Sequence, residues 1–254
     1  MKIARFSHND AIRYGIVDGI ELVVLQGDPI LAGYETTGER VSLADVALLA
    51  PVIPRSKVIG VGRNYRDHAT ELGNDVPAEP LLFLKPNTAV IGPGDAIVRP
   101  PQSQDTQWEG ELAIVIGRIA KNVAASDAAD YVFGYTVAND VTARDLQKPD
   151  RQWARAKGMD TFCPLGPAIE TELDLAGGEI ITRVNGEERQ RGSFRDMIFD
   201  VPAIVEYVSA AFTLLPGDVI LTGTPAGVGP FVAGDVIEVE VPQIGTLRNV
   251  ARDA

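Results

Sequence analysis

Residues 108–117 read Trp-Glu-Gly-Glu-Leu-Ala-Ile-Val-Ile-Gly, in which two acids open an otherwise apolar run. Because residues i and i+2 of a β-strand share a face, the run predicts a buried strand from whose end Glu109 and Glu111 project together. Two carboxylates inside a core repel each other unless a cation offsets their charge. The alternative is an exposed strand end with two solvated carboxylates.

A third acid, Asp140, follows the apolar run from Tyr131 to Ala138 and precedes Val141 rather than turn residues. Carboxylate oxygens suit a hard divalent cation, so the set predicts a Mg²⁺ or Mn²⁺ site completed by water or substrate. One such ion would leave the site with a single negative charge. Lys157 is the candidate to neutralise it, although a lone lysine is more often a solvated side chain.

His68 and Glu71 are three residues apart, so on a helix they face the same way. A carboxylate that holds an imidazole can fix its tautomer and help it act as a general base. The alternative is a surface histidine beside a surface glutamate.

The composition limits the classes of function. The 254 residues are 45% hydrophobic and 23% charged, which is ordinary globular usage and permits one large domain, or one large and one small. A net charge of −12 without any basic run argues against a nucleic-acid partner or an anionic membrane surface. No apolar run approaches the roughly 18 residues of a transmembrane helix, and the N-terminus lacks the apolar core of a secretory signal. We therefore expect a cytoplasmic protein.

Common catalytic motifs are missing from the sequence. Two histidines and one cysteine cannot build the usual His/Cys metal sites, and Cys163 reads as a small core residue. The Gly60-Val61-Gly62 segment lacks the third glycine of a dinucleotide fingerprint, and neither a Gly-Lys-Ser/Thr loop nor a Gly-x-Ser-x-Gly elbow occurs. The glycine-rich segment 222–230 could present N–H groups to an anion or be only a loop.

Glycine and proline punctuate short β-like runs, which predicts an α+β fold dominated by strands. Asn185-Gly186 predicts a type I′ hairpin turn. Helices are expected after the cap residue Asp200, at Asn64 to Leu72 and at Asp150 to Ala156. Residues 1–54, with a hairpin-like pattern from Tyr14 to Leu25, are expected to form a small N-terminal domain before a domain spanning 55–254.

These motifs, taken in order, closely resemble the fumarylacetoacetate hydrolase family from about residue 57 to the C-terminus. The segments that carry the resemblance are Gly62-Arg63-Asn64-Tyr65 with His68 and Glu71, Leu82-Phe83-Leu84-Lys85-Pro86, Glu109-Gly110-Glu111, Asn139-Asp140-Val141-Thr142-Ala143-Arg144-Asp145-Leu146-Gln147, Lys157-Gly158 and Thr222-Gly223-Thr224-Pro225. The first 54 residues resemble the small N-terminal domain of a bacterial subset of that family.

The resemblance implies a mixed β-roll with peripheral helices, a Mg²⁺ or Mn²⁺ site and a homodimer. It implies that Glu109, Glu111 and Asp140 bind the metal, that Lys157 lies beside a developing enolate, and that His68 and Glu71 position or deprotonate water. It also implies a substrate pocket lined by Arg63, Tyr65, Lys85, Arg144, Gln147 and Thr224, with Thr224 near the substrate carboxylate.

The implied substrate is a small 2-oxo acid, because a divalent ion that chelates its carboxylate and 2-oxo oxygen stabilises an enolate. Hydrolysis of an acylpyruvate such as fumarylpyruvate is favoured. Oxaloacetate decarboxylation and isomerisation of 2-hydroxyhepta-2,4-diene-1,7-dioate remain open on the same residues. A non-catalytic, metal-stabilised binding protein would keep the three acids without needing His68, Glu71 and Lys157.

Overall fold

The computed structural model describes residues 1–71, 73 and 75–254. Within these residues the chain forms twenty β-strands, five α-helices and four 3₁₀ turns. The helices are α1 (Pro29–Ala32), α2 (Arg66–Glu71), α3 (Arg144–Asp150), α4 (Ala154–Gly158) and α5 (Val201–Ala211). The 3₁₀ turns are Leu43–Asp45, Asn87–Ala89, Ala125–Tyr131 and Phe194–Asp196.

The strands are short and follow one another closely along the chain. They are β1 (Lys2–His8), β2 (Ala11–Asp18), β3 (Glu21–Leu25), β4 (Thr36–Ser42), β5 (Ala47–Leu49), β6 (Val58–Gly62), β7 (Leu81–Lys85), β8 (Val90–Ile91), β9 (Ala96–Arg99), β10 (Thr106–Trp108), β11 (Gly110–Ile116), β12 (Val132–Asn139), β13 (Thr142–Ala143), β14 (Cys163–Glu170), β15 (Glu179–Val184), β16 (Glu187–Ser193), β17 (Val219–Leu221), β18 (Gly229–Pro230), β19 (Val236–Val241) and β20 (Gly245–Asp253).

Three sheets result from the pairing of these strands. The largest has twelve strands, with the path β4-β3-β2-β1-β14-β12-β11-β17-β6-β7, and β5 and β8 pair off it. A second sheet of five strands has the order β16-β15-β19-β20-β9, and β13-β10-β18 form a third. Parallel pairs such as β17 with β6 occur among mostly antiparallel ones. The expectation of a strand-dominated mixed fold with peripheral helices is confirmed.

Buried side chains explain why β11 lies at the centre. All seven of its residues are buried, because a strand covered on both faces needs no polar alternation. One face contributes Leu112 to a core shared with the five-stranded sheet and Ile114 to a core that includes Val205 of α5. The opposite face contributes Ala113 and Val115 to a third core. The apolar run found in the sequence is therefore the strand on which the layers pack.

Several local predictions are confirmed. Asn185 and Gly186 both have positive φ, 53° and 81°, between β15 and β16, as a type I′ turn requires. The side chain of Asp200 accepts a hydrogen bond from Ala203 N and caps α5. Cys163 is fully buried, and burial raises the pKa of its thiol to about 12, as expected of a core residue.

The predicted helix from Asp150 to Ala156 is wrong, because those residues span the break between α3 and α4. Pro149 lies in the last turn of α3, and Arg151 and Trp153 have φ of 52° and 62°, which no α-helix contains. The Asp150 carboxylate then accepts a hydrogen bond from Arg155 N and ties the second helix to the first. The helix predicted at Asn64 to Leu72 is observed as α2, and Leu72 lies outside the described residues.

The N-terminal segment contains the predicted hairpin, in which β2 pairs with β3. Its first strand pairs with β14, so the segment extends the twelve-stranded sheet. The domain boundary at residue 54 stays a prediction. Among the described residues, no helix combines the length and apolar character needed to cross a bilayer.

Candidate active site

The two glutamates lie at the start of the central strand, where Glu109 follows β10 and Glu111 is the second residue of β11. Both are buried, with 3% and 2% of their surface exposed, so the solvated alternative does not apply. The Asn139 Oδ1 atom accepts a hydrogen bond from Glu109 N at 3.0 Å and fixes the backbone at this point.

Strand pairing brings Asp140 to the same place. Gly110 pairs with Asn139 across β11 and β12, and Asp140 N donates a hydrogen bond to Glu109 O at 2.8 Å. One carboxylate oxygen from each of Glu109, Glu111 and Asp140 lies within 4.8 Å of the others. Three acids that are distant in sequence therefore form one buried cluster whose donor set suits a hard divalent cation.

Cations already contact these carboxylates. Lys157 Nζ lies 2.6 Å from both Glu109 Oε2 and Asp140 Oδ2, and Arg144 Nη2 lies 2.5 Å from Glu109 Oε1. Lys85, also buried, forms an ion pair with the other oxygen of Asp140. Three cations therefore balance three carboxylates, whereas the sequence pointed to one lysine.

The pKa directions reflect this distribution of charge. Burial alone would raise the pKa of Glu109, but the charges of Lys157 and Arg144 outweigh it and hold that pKa well below its usual range. Burial raises the pKa of Glu111 well above its usual range, and the negative charges of Asp140 and Glu109 raise it further. Glu111 thus lacks the compensation that the other two acids have.

The uncompensated charge of Glu111 bears on whether a metal ion fits the cluster. The ammonium of Lys157 bridges two of the acids, which shows that the cluster accommodates a cation between them. Within the described part of the chain, Glu111 is in no ion pair, and its Oε2 accepts a hydrogen bond from Gly223 N at 2.6 Å. The cluster as a whole is balanced, but a divalent ion would supply positive charge to Glu111, which has no ion pair among the described residues, so the residues present fit Mg²⁺ or Mn²⁺.

The predicted dyad lies beside the cluster on α2. His68 Nδ1 is 3.5 Å from Glu71 Oε2, without the geometry of a hydrogen bond, and only 4% of the residue surface of His68 is exposed. Gly227 N lies 3.2 Å from each oxygen of the Glu71 carboxylate, to which it donates, so this contact links α2 to the segment 222–230. Burial lowers the pKa of His68, and the charge of Glu109 opposes this only in part, which favours a neutral imidazole at neutral pH.

A cavity of about 40 Å³ adjoins the cluster. Six of the residues that the sequence predicts for the site line it, together with Gly62 and Trp153. The six are Arg63, His68, Glu109, Arg144, Gln147 and Lys157. Arg144 also donates to Gln147 Oε1 at 2.8 Å, which places the guanidinium and the amide on one side of the opening. Cationic groups and a neutral histidine thus surround a space next to the candidate metal ligands.

Three expected pocket residues, Tyr65, Lys85 and Thr224, do not line this small cavity. Tyr65 lines a neighbouring cavity of about 310 Å³, and burial raises the pKa of its phenol, as do the charges of Glu111 and Asp196. The buried ammonium of Lys85 is engaged in its ion pair with Asp140. The Thr224 hydroxyl donates to Gly110 O at 2.8 Å, so it is held within the protein.

The comparisons with known proteins identify the family of the chain. The family model described as fumarylacetoacetate (FAA) hydrolase C-terminal matches residues 57–252. The chain belongs to the fumarylacetoacetate hydrolase family. A second model, Rv2993c-like, N-terminal, matches residues 1–51.

Among the relatives of this family member is protein Rv2993c of Mycobacterium tuberculosis, which is 50% identical over 98% of this chain and 97% of its own length. The human protein named oxaloacetate tautomerase FAHD2A, mitochondrial, is 45% identical over 81% of this chain and 69% of its own length. The crystal structure of 5-carboxymethyl-2-hydroxymuconate delta-isomerase from Mycobacterium smegmatis superposes with a TM-score of 0.93 at 47% identity, covering 100% of both chains. Maleylpyruvate hydrolase from Sphingobium sp. SYK-6, in complex with manganese(II) and pyruvate, superposes with a TM-score of 0.82 at 34% identity, also over 100% of both chains.

Two residues of the site were missed in the sequence. Trp153 has a left-handed backbone conformation and lines the cavity. Its ring packs edge-on against that of Phe83, with the two ring centroids 5.5 Å apart. Phe83 in turn lies under Lys157, with Nζ 5.0 Å from the ring centroid. Neither aromatic belongs to a periodic pattern that would identify it in the sequence. Trp153 is placed by the break between α3 and α4, and Phe83 by the pairing of β7 with β6.

Proposed function

We propose that this member of the fumarylacetoacetate hydrolase family is a divalent-metal-dependent enzyme that acts on a small 2-oxo dicarboxylic acid, and that its favoured reaction is the C–C hydrolysis of an acylpyruvate such as fumarylpyruvate. The observation that carries the proposal is the position of His68. Its buried imidazole opens on the same cavity as Glu109 and Lys157, where a base that activates water would be needed.

Glu109, Glu111 and Asp140 would hold Mg²⁺ or Mn²⁺. When bound, such an ion supplies a Lewis acid that stabilises the negative charge developing on a 2-oxo group.

The dyad supplies the proton transfer. In hydrolysis, water attacks the carbonyl carbon distal to the 2-oxo group and the bond from that carbon to the neighbouring methylene breaks. The attacked acyl group becomes a carboxylic acid, and the pyruvate enolate leaves and takes up a proton to give pyruvate. His68, held neutral by its lowered pKa, can take the proton of that water. The carboxylate of Glu71, 3.5 Å from Nδ1, would stabilise the imidazolium that forms.

The cationic side chains around the acids favour binding of an anionic substrate. Lys85, Lys157 and Arg144 balance the charges of the three acids, so a divalent ion makes the site positive and favours an anionic substrate. The Arg144 guanidinium, hydrogen-bonded to Gln147, lies at the cavity and can contact a carboxylate.

A second candidate is proton transfer or decarboxylation at the carbon next to the 2-oxo group of oxaloacetate. The name of the human relative, an oxaloacetate tautomerase, favours this reaction class, and the M. smegmatis isomerase favours a related proton shift on a dienoate. Neither reaction needs an activated water, although both use an enolate on the same residues. A non-catalytic, metal-stabilised protein would have no use for the arrangement of His68 and Lys157.

One set of assays decides between these readings. The protein loaded with Mn²⁺ is incubated separately with fumarylpyruvate, enol-oxaloacetate and 2-hydroxyhepta-2,4-diene-1,7-dioate, and again with chelator. Released pyruvate and loss of enol absorbance are followed. The proposal expects metal-dependent pyruvate release to be fastest from fumarylpyruvate. Faster loss of enol-oxaloacetate or of the dienoate supports the second candidate, and no turnover of any substrate supports a binding protein.

The homodimer implied by the family remains part of the proposal and is checked by light scattering of the purified protein. Cytoplasmic localisation also stays a prediction.

A further inference from the structure

The side chain of Gln190 connects the five-stranded sheet to the acid cluster. It belongs to β16 and is 2% exposed. Its Oε1 accepts hydrogen bonds from Thr182 Oγ1 at 2.7 Å and from Gly110 N at 3.2 Å. Its Nε2 donates to Thr224 Oγ1 and to Pro225 O, both at 2.7 Å. Every hydrogen-bonding position of the buried amide is therefore used.

The orientation of the amide is fixed by its partners. A backbone N–H can only donate and a backbone carbonyl can only accept, so Gly110 N must face Oε1 and Pro225 O must face Nε2. A flipped amide would oppose both groups and bury them unsatisfied, which is costly in a core.

The two segments that Gln190 holds both shape the metal site. Gly110 is the residue between the two candidate glutamate ligands, and a Cβ there would lie 2.2 Å from Thr182 Oγ1 and 3.0 Å from Gln190 Oε1, so the strand packs tightly against the two side chains. On the other segment, Gly223 N donates to Glu111 Oε2 at 2.6 Å, and Thr224 Oγ1 donates back to Gly110 O at 2.8 Å. One amide thus sets the spacing between Glu111 and the loop that orients its carboxylate.

We propose that Gln190 is a positioning residue that holds Glu109, Glu111 and segment 223–225 in register for metal binding. The inference rests on the metal site of the proposed function, but it does not depend on which 2-oxo acid is the substrate. Groups that orient metal ligands change metal affinity by about 10- to 100-fold when they are removed.

Gln190→Met tests this, because it keeps the length of the side chain and removes all four hydrogen bonds. We expect the Kd for Mn²⁺, measured by titration calorimetry without substrate, to rise about 10- to 100-fold. The electron paramagnetic resonance spectrum of bound Mn²⁺ should also broaden. Asn249→Leu is the matched control, since Asn249 is an equally buried amide of the same sheet that donates to Gly92 O and Asp95 O, away from the acids. It should lower Tm and leave the Kd for Mn²⁺ unchanged.

A milder pair of variants covers the case in which Gln190→Met fails to fold. Thr182→Val removes one hydrogen bond to Oε1 and should weaken Mn²⁺ binding several-fold, whereas Thr182→Ser keeps the hydroxyl and should restore it.

The outcomes separate this inference from the proposed function. If Gln190→Met or Thr182→Val loses stability while the Kd for Mn²⁺ stays at the wild-type value, the positioning role is overturned. If wild-type protein binds Mn²⁺ in a Gln190-dependent way and turns over no 2-oxo acid, the proposed function fails and the positioning role stands. Wild-type protein that binds no Mn²⁺ would overturn both.

Discussion

Lys157 Nζ lies 2.6 Å from Oδ2 of Asp140, and both side chains are almost completely buried. The same ammonium bridges to Glu109, so the lysine compensates two acids that a divalent ion would also contact. Stability and metal binding are therefore linked through one side chain.

Replacing Lys157 by Met should destabilise the metal-free protein. Removing one partner of a buried ion pair leaves an uncompensated charge and costs about 3–5 kcal/mol in the free energy of unfolding. Mn²⁺ supplies charge at the same place, so it should raise the Tm of the variant more than that of the wild type. Thermal unfolding in chelator and in Mn²⁺ measures both effects. Lys148→Met, at an exposed lysine, is the control, and an unchanged Tm of Lys157→Met in chelator would contradict the prediction.

Glu109→Gln should abolish Mn²⁺ binding. The substitution keeps the size of the side chain but removes one of three charged ligands and leaves Arg144 and Lys157 facing a neutral amide. Calorimetric titration should detect no Mn²⁺ binding, whereas the exposed Glu35→Gln should bind as the wild type does. Unchanged affinity in Glu109→Gln would remove Glu109 from the ligand set.

His68→Ala should reduce hydrolysis much more than decarboxylation. Only hydrolysis needs an activated water, and general-base catalysis contributes about 10²- to 10⁴-fold. Initial rates on fumarylpyruvate should therefore fall by that factor, and rates on oxaloacetate much less. The other histidine of the chain, His8 on β1, gives the control His8→Ala. Equal losses on both substrates would refute this division of roles.

Gly110→Ala should destabilise the fold because its Cβ would meet Thr182 Oγ1 at 2.2 Å. Overpacking of this kind costs about 1–3 kcal/mol. Thr182→Ala removes the clashing hydroxyl, so the double variant should be more stable than the two single effects predict when they are added. Urea unfolding of the four proteins measures this coupling. Strictly additive effects would mean that the strand moves away from β15 instead.

Sequence patterns were most informative where a local rule decides the structure. The Asn185-Gly186 turn and the Asp200 cap depend on neighbouring residues alone, and both are observed. The sequence patterns gave a wrong prediction from Asp150 to Ala156. The composition there is typical of a helix, but Pro149 and the hydrogen bond from Arg155 N to the Asp150 carboxylate accompany a break between two helices. That break depends on backbone conformations that composition does not reveal.

In the site, the spacing of Glu109 and Glu111 and the end of the run at Asp140 were sufficient to nominate a cluster. They did not reveal that Lys85 and Arg144 would join Lys157 on these acids, because a single basic residue carries no pattern. The amide of Gln190 gave no signal either, since its role comes from pairing β16 with β15 and from the approach of the segment after Thr222.

By itself, the sequence determined the apolar central strand, the acids at its end and the motif order of a known family. These properties follow from residue type and spacing, which act over a few positions. Only the tertiary structure decided which cations neutralise the acids, how Glu71 reaches Gly227, and which amide holds the two glutamates in register. Those contacts join residues far apart in the chain, and their geometry exists only once the sheets have packed.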